Sequence, residues 1–597
     1  MLSPHAALEQ FFGFSAFRPG QEEAVSAAAA GRDVLVVMPT GAGKSLCYQL
    51  PALMRDDLTL VVSPLVSLMH DQVAALERVA PGRAALVNAQ QDASENRAAL
   101  ARAASGALRL LYVAPERFSS PGFLEAVRQV QVGLFVVDEA HCVSQWGHDF
   151  RPDYFRLADA ARWLQATALV ASTATATPQV AGDIVRRLGL RDPARVTTGF
   201  DRPNLSFAVV PCATTAAKHR AIAEALADPA ARPAIVYSGT RAGTEALSER
   251  LQRELELEVP AYHAGLGRAE RAQVQRRFME GEVDVVVATN AFGMGIDKAD
   301  VRTVAHDSVP ASVEAYYQEA GRAGRDGRPA RALLFAEPKD KALHVFFIRR
   351  DEGDHTLLER VASRLLGAAT LELDPGTSGR FDLALADLGG DDEHDRIRAA
   401  IGHLARAGVV QPAPAAADRI RGRVVAPFDG RARAACRASY AEATRARWRQ
   451  YRAVWAFVEG EGCRRRTILR HFGDASEPVP QVPCCDACAP GLRPVPAAQT
   501  PRGRGAGAAG PAPADLDQAI VQVVARARPS VGRTRVVEIL RGGRSKVLRK
   551  HSYDGLPSYG AFDHLSSGQV LTRVDELIAE GRLVSTGGAY PTLRVAA

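Results

Sequence analysis

The sequence predicts an α/β protein: two lobes, each a parallel sheet flanked by helices, followed by a small metal-binding module and a basic terminal domain. Three observations predict it. Short, continuously apolar runs alternate twice with amphipathic stretches, as parallel strands buried on both faces require. Polar, glycine-containing motifs recur where those strands stop, which is where doubly wound sheets bind ligands. Four of the eight cysteines, Cys463, Cys484, Cys485 and Cys488, fall close together, while Cys47, Cys142, Cys212 and Cys436 are scattered. At 597 residues the chain is too long for one hydrophobic core, and roughly 100–200 residues per domain gives about three to five domains.

Composition narrows the partners. Lys plus Arg at 74 against Asp plus Glu at 67 leaves a net charge of +7, an excess that suits a polyanion without demonstrating one. The opening residues, Met1-Leu-Ser-Pro-His5, lack the basic-then-apolar pattern of a signal peptide, and no run reaches the ~18 apolar residues of a membrane span. A cytoplasmic protein with no membrane partner is expected. In that reducing compartment clustered cysteines mean a metal site, not a disulfide framework.

Taken in order, the first lobe opens with Phe12-Gly-Phe-Ser-Ala-Phe-Arg-Pro-Gly-Gln21, an Ala-rich helical run and the strand Asp33–Met38. Pro39-Thr-Gly-Ala-Gly-Lys-Ser45 follows. Gly41 and Gly43 let successive N–H groups converge on phosphate, the next helix adds its positive N-terminus, Lys44 reaches the outer phosphates and Ser45 can ligate magnesium. Met38 stands where the usual pattern has its first glycine. Further strands are predicted at Leu58–Val62, Leu108–Val113, Leu134–Val137 and Thr167–Val170, with Ser63-Pro-Leu-Val-Ser67 and Ser172-Thr-Ala-Thr175 at strand ends. The strand at Val137 runs straight into Asp138 and Glu139, a pair able to hold magnesium and orient a water. Trp146, His148, Phe150 and Arg151 then combine aromatic, imidazole and basic groups in one loop, a mixture suited to stacking on a base.

A second alternation begins near residue 206, with strands at Ala234–Tyr237, Val283–Ala288, Val301–His306 and Ala332–Phe335. It has no phosphate loop. Its motifs are Ala288-Thr-Asn-Ala-Phe-Gly-Met-Gly-Ile-Asp297 and Gln318-Glu-Ala-Gly-Arg-Ala-Gly-Arg-Asp-Gly327. Arg322 and Arg325, set among glycines, suit guanidinium fingers on a transferring phosphoryl group.

These residues together resemble the RecQ family of superfamily-two DNA helicases. The resemblance covers most of residues 10–340 and rests on Phe17-Arg-Pro-Gly-Gln21, Met38 to Ser45, the Asp138-Glu-Ala-His141 box, the aromatic loop through Arg151, Ser172–Thr175 and Gln318–Arg325. It implies two RecA-like lobes, residues 1–205 and 206–340, closing on ATP. Phe14 and Arg18 would sandwich the adenine and Gln21 would hydrogen-bond it. Thr40, Gly41, Gly43, Lys44 and Ser45 would hold the phosphates, Ser45 and Asp138 the magnesium, and Glu139 the attacking water. Arg322 and Arg325 would complete charge stabilisation. Trp146, Phe150 and Arg151 would sense single-stranded DNA and report to the ATP site.

Beyond residue 340 the pattern weakens. Residues 341–450 form an inserted module in which Arg396–Val410 reads as a helix ending at Gly408, followed by strands including Arg421–Val425. A winged-helix-like fold and a helical spacer both stay open. Residues 451–490 carry the zinc-binding module. The family's cysteine spacing is broken by Val482, so Cys484 must join Cys463, Cys485 and Cys488 from an adjacent position, with His471 as the alternative fourth ligand. A Pro/Gly/Ala/Arg linker at 491–514 leads to residues 515–597, which resemble the family's winged helix. Arg533, Arg535, Arg541, Arg544, Lys546, Arg549 and Lys550 give that domain charge for duplex phosphates. No counterpart of the family's common additional C-terminal helical domain is expected. The resemblance thus implies two RecA-like parallel-sheet lobes followed by a zinc-binding module and a winged helix. The activity it implies is an ATP-dependent 3′-to-5′ DNA helicase of repair and recombination, using ATP, magnesium and zinc on single-stranded, branched or duplex DNA. An RNA helicase, or an annealing protein whose ATPase only switches affinity, are the rival readings.

Overall fold

The computed structural model describes residues 2–597 except 89–90, 145–153, 155–156, 293–297, 351, 353, 371–378, 391–392, 414, 416–417, 494–512, 544–547, 549–550, 564, 566, 587–591 and 597. The described residues fall into two compact units, 1–497 and 498–597.

The first lobe is a seven-stranded parallel sheet. Its strands are β1 (Val34–Val37), β2 (Leu58–Val62), β3 (Ala84–Val87), β4 (Leu110–Val113), β5 (Val132–Val137), β6 (Ala168–Thr173) and β7 (Ala194–Thr197), in the order β3-β4-β2-β5-β6-β1-β7. Strands β1 to β6 are buried along their whole length, which explains their predominantly apolar content: each Val, Leu or Phe side chain withdrawn from water contributes ~1.5–3 kcal/mol. The register aligns the strand ends that matter. Val37 pairs with Thr173, and Val62 with Val137. The segments after β1, β2, β5 and β6 therefore emerge along one edge. Helix Pro178–Leu188 illustrates the local rules. Thr177 accepts the N–H of Val180 at its start, Gly189 closes it in the left-handed region, and Val180, Ile184 and Leu188 form the buried stripe.

The second lobe repeats the architecture with β8 (Leu205–Pro211), β9 (Ala234–Tyr237), β10 (Ala261–Tyr262), β11 (Val285–Ala288), β12 (Thr303–His306) and β13 (Ala330–Ala336), all parallel, ordered β10-β11-β9-β12-β13-β8. Its edge strand β8 is not left open. The cysteine-bearing segment pairs with it: Phe207 N donates to Cys484 O at 3.2 Å and Asp486 N to Phe207 O at 3.0 Å. An exposed edge would template pairing with another chain, so this cover is protective as well as adhesive.

Between the lobes and the cysteines lies helix His355–Thr370, then β14 (Arg380–Ala384), helix His394–Arg406, and the hairpin of β15 (Val410–Ala413) and β16 (Arg419–Val424). The strands form an antiparallel sheet ordered β14-β16-β15. Leu358, Leu365, Phe381, Ile397, Ile401, Leu404 and Ile420 build its own core. A single helix, Gly430–Glu459, then runs 30 residues, started by Asp429 accepting Ala432 N. Ala432, Cys436 and Tyr440 of its first half join the core just described, whereas Val454, Trp455, Phe457 and Val458 of its second half join the core of the lobes.

The unit 498–597 packs helices Pro513–Arg526, Arg533–Leu540 and Ser567–Ala579 with the antiparallel pair β17 (Leu583–Ser585) and β18 (Leu593–Val595) around Ile520, Val536, Ile539, Val570 and Val574. Among the described residues no helix is long and apolar enough to cross a membrane.

Candidate ATP site and metal centre

The phosphate loop follows β1 and is shaped by its glycines. Gly41 and Gly43 have φ of 86° and 81°, values that cost a residue with a Cβ but not glycine. A Cβ on Gly43 would sit 2.5 Å from Gln21 Nε2. That amide is the loop's brace: Gln21, 4% exposed, donates to Ala42 O at 3.1 Å and Gly43 O at 3.2 Å. Arg18 Nη1 donates to Gly41 O at 2.8 Å, and its own N–H to Gln21 Oε1 at 2.9 Å. Phe14 is 56% exposed and stacked on Phe12 with centroids 6.5 Å apart. An exposed large ring is available for stacking.

Lys44 folds over its own loop, donating Nζ to Met38 O at 3.2 Å and Pro39 O at 3.4 Å. Lost hydration lowers its pKa, against the pull of Glu139 and Asp138. Across the sheet edge, Asp138 N donates to Val62 O at 2.9 Å, which fixes the acidic pair at the end of β5. Burial and the neighbouring Glu139 push the Asp138 carboxyl up to about 7, with Lys44 opposing. Glu139 stands in the left-handed region at φ 47°, a strained conformation for a non-glycine residue of the kind that collects at functional sites. His141 contacts Glu139 Oε2 at 3.3 Å and, through Nδ1, Thr173 Oγ1 at 2.9 Å. Thr173 Oγ1 in turn accepts Thr175 N at 3.2 Å. The box after β5 is thereby wired to the Ser172–Thr175 turn after β6. Among the described residues the buried hydroxyls of Thr40, Ser63, Ser172 and Thr175 have no hydrogen-bond partner. Buried polar groups are normally paired, so four such hydroxyls on one edge fit a polar ligand.

The second lobe meets this edge. A Cβ on Gly41 would lie 3.6 Å from Arg325 Cγ, and one on Gly321 would lie 3.5 Å from Thr40 Cβ. Arg322 is 6% exposed with an unpartnered Nε. What holds the two loops together is Arg202, a residue the motif reading did not single out. Its Nη1 donates to Thr40 O at 3.3 Å in the first lobe and to Gly321 O at 3.0 Å in the second, and its Nη2 to Ala323 O at 2.8 Å and Gly324 O at 3.3 Å. One planar guanidinium bridges the phosphate loop and the arginine-bearing turn, a task its fixed fork suits. The only sequence signal was its place, just after the last strand of lobe one in Phe200-Asp-Arg-Pro-Asn204.

The metal module reaches the same junction. Arg465, 1% exposed, donates Nη1 to Asp201 Oδ1 at 2.5 Å and Arg202 O at 2.6 Å, and Nη2 to Leu205 O. Phe472 stacks on Phe200 with centroids 4.4 Å apart, and Asp474 Oδ2 accepts Phe200 N at 3.0 Å. The sulfurs of Cys463, Cys484, Cys485 and Cys488 lie within 4.8 Å of one another. Their closest pairs are Cys463–Cys484 at 3.5 Å, Cys485–Cys488 at 3.5 Å and Cys463–Cys485 at 3.8 Å. Bonds of ~2.3 Å to a tetrahedral zinc place sulfurs roughly 3.8 Å apart, so four thiols fit one ion. The chain turns within the group, with Cys485 O accepting the N–H of both Cys488 and Ala489. Burial raises the Cys485 thiol, yet N–H groups from Arg464 and Cys488 outweigh it and lower its pKa. His471 is not part of this group: its Nε2 pairs with Glu314 Oε1 at 2.8 Å. Trp146, Phe150, Arg151, Arg544, Lys546, Arg549 and Lys550 lie outside the described residues.

Comparison with known proteins places these features. Four family models match in succession: DEAD/DEAH box helicase at 18–184, helicase conserved C-terminal domain at 217–327, RecQ zinc-binding at 430–489 and RQC domain at 514–597. Residues 328–429 lie between the second and third. The ATP-dependent DNA helicase RecQ of Bacillus subtilis (strain 168) is 32% identical over 590 residues, 98% of this chain and 81% of that one. The ATP-dependent DNA helicase RecQ of Pasteurella multocida (strain Pm70) is 42% identical over 364 residues, covering 60% of this chain and only 56% of the relative. The rat ATP-dependent DNA helicase Q5 is 42% identical over 363 residues, 58% of this chain and 37% of that one. A phosphate loop and acidic box in one lobe, arginines arriving from a second, a four-cysteine module latched to the junction and a near-full-length relative lead to one conclusion: the chain belongs to the RecQ family of ATP-dependent DNA helicases.

Proposed function

We propose that this protein hydrolyses ATP to move 3′ to 5′ along single-stranded DNA and separate strands during repair and recombination. The observation that carries the reading is the Arg202 bridge, because it makes closure of the two lobes and assembly of the phosphate site one event. Lys44 leaves its loop carbonyls to contact the outer phosphates. Glu139, positioned by His141 and its left-handed backbone, holds the attacking water and accepts its proton. Arg322 and Arg325 stabilise the charge that develops on the transferring group. Ser45 and Asp138 offer the hydroxyl and carboxylate oxygens that magnesium prefers, and the ion would neutralise phosphate charge there. Cys463, Cys484, Cys485 and Cys488 would hold zinc, which would add a structural cross-link between the helix carrying Arg465 and the segment paired with the edge of the second sheet. Phe14, Arg18 and Gln21 select adenine. Trp146, Phe150 and Arg151 sense the single strand and report its presence to the ATP site.

The test has two stages. ATP hydrolysis should rise with single-stranded DNA and not with RNA of the same sequence, and Trp146→Ala should lower that stimulation while leaving basal hydrolysis in place. Strand displacement should then require a 3′ single-stranded tail on forked or gapped substrates. Equal stimulation by RNA, or displacement that prefers a 5′ tail, would refute the reading.

A further inference from the structure

The long helix Gly430–Glu459 opens the RecQ zinc-binding match, but the module before it, residues 341–429, falls outside all four family models. Its order of helix, strand, helix and hairpin, with the sheet arranged β14-β16-β15, is that of a winged helix. Yet the described residues of the two parts of such a fold that ordinarily meet nucleic acid are already engaged. The helix that would enter a groove, His394–Arg406, is packed under the long helix Gly430–Glu459: His403 lies on Tyr440 with ring centroids 3.7 Å apart, and both His403 Nδ1 and Arg406 Nη1 contact Ser439 Oγ at 2.8 Å. On the hairpin, Arg419 and Arg421 clasp Asp382 at 2.8 and 2.6 Å, while Arg423 donates to Gln411.

The long helix presents the charge instead. Residues 431–452 contain seven arginines and one carboxylate, Glu442. At about 100° per residue, Arg431, Arg445, Arg449 and Arg452 project within an arc of about 60° and span about 31 Å along the axis. All four are exposed; the exposed Ala434 and Ala438 lie within the same arc, and exposed Ala441 and half-buried Glu442 flank it about 20° to either side. Among the described residues Arg431, Arg445 and Arg452 form no ion pair with a carboxylate. Partial burial, then Arg445 and Arg452, lower the pKa of Arg449, with half-buried Glu442 opposing. Like charges at i, i+3 and i, i+4 oppose helix formation, a cost that a bound anion would offset. The helix is also rigidly mounted, its first half in the core of the inserted module and its second half in the core of the lobes.

We propose that this arginine face binds the phosphate backbone of duplex DNA, as a duplex-holding site separate from the terminal winged helix. A straight, inflexible row of guanidinium groups flanked by alanines lets a rigid backbone lie close. The arc offers no exposed aromatic ring, whereas proteins that track single strands add stacking platforms to their basic grooves. The choice of DNA over RNA rests on the helicase reading above.

The experiment measures affinity of the full-length protein for a blunt DNA duplex, without nucleotide, over a series of salt concentrations. Each neutralised phosphate contributes about 0.9 to the slope of log K against log salt. Arg445→Ala/Arg449→Ala/Arg452→Ala should therefore flatten the slope by about 3, and weaken duplex binding at least about tenfold near 0.1 M salt. The triple lysine variant should retain the parental slope, and zinc content and single-strand-stimulated hydrolysis should stay unchanged in both. An unchanged slope in the alanine variant overturns the proposal. So does an equal loss of affinity for single-stranded DNA, or a lysine variant as defective as the alanine one. Because binding is read without ATP, failure of single-stranded DNA to stimulate hydrolysis would count against the helicase reading alone.

Discussion

Replacing Arg465 by methionine tests whether the zinc module controls the junction between the lobes. Methionine fills much of the arginine stem volume and packs adaptably, so the change chiefly removes a charge and its hydrogen bonds. Arg465 has 2% side-chain exposure and Asp201 19%, and the same guanidinium satisfies the carbonyls of Arg202 and Leu205. Breaking a buried pair by deleting one partner costs about 3–5 kcal/mol, because the other charge stays behind unpaired. That corresponds to an opening equilibrium larger by about a hundredfold to a few thousandfold, at ~1.4 kcal/mol per factor of ten. Native-state hydrogen exchange at the amides of β8 reads it directly, since Leu205 touches Arg465 and Phe207 pairs with the cysteine segment. Arg202, whose carbonyl Arg465 holds, would lose its fixed placement across Thr40 and Gly321, so kcat for ATP should fall about tenfold or more, the scale for a misplaced catalytic contact. Zinc content should stay near one ion per chain. Adding Asp201→Asn should recover part of the protection by removing the orphaned charge. Protection within about tenfold of the parent, together with an unchanged kcat, would refute the coupling.

Three other outcomes are expected. Lys44→Ala should lower ATP hydrolysis at least about a hundredfold while DNA affinity measured without nucleotide stays within a few-fold, and a comparable loss of DNA binding would contradict separate roles. Cys484→Ser should release zinc and depress folding yield more than basal hydrolysis, whereas His471→Ala should keep its zinc on metal analysis; the reverse pattern would reject the four-thiol set. His403 is held neutral, its pKa lowered to about 3 by burial and then by Arg406 and Arg447. Because the folded state binds fewer protons there, this contribution is complete above the unfolded value near 6.5 and declines as pH falls from about 6.5 toward 3. Exchange protection of helix His394–Arg406 should therefore drop between pH 7 and 5, and His403→Gln should flatten that dependence.

How much was legible in the chain follows from where each constraint acts. Parallel strands buried on both faces must be continuously apolar, so both lobes could be read from residue runs such as Leu58–Val62 and Ala234–Tyr237. The strands β3, β7 and β10 escaped because two to four residues carry little period; seven-residue β8 went unassigned although six of its residues are buried. The phosphate loop and the acidic box were readable because their chemistry is local: consecutive backbone N–H groups and a carboxylate at a strand end need particular residues side by side. The exposed arginine face of the long helix went unremarked because a periodic stripe gains meaning only when the opposite face is known to be buried.

Tertiary structure alone decided the rest. Arg202 and Arg465 donate to carbonyl oxygens more than a hundred residues away, and a carbonyl acceptor leaves no trace in amino-acid identity because every residue has one. The four-thiol group was a matter of three-dimensional reach: Cys484 lies 3.5 Å from Cys463, 21 positions earlier, the turn after Cys485 brings Cys488 within 3.5 Å of it, and His471 pairs with Glu314, a residue 157 positions distant. The sequence by itself determined which groups could do phosphate chemistry and bind metal, since that depends on functional groups at fixed short spacing. Which of them are held together across the lobe junction was decided only by folding, because the forces that do so act through space on groups the chain keeps far apart.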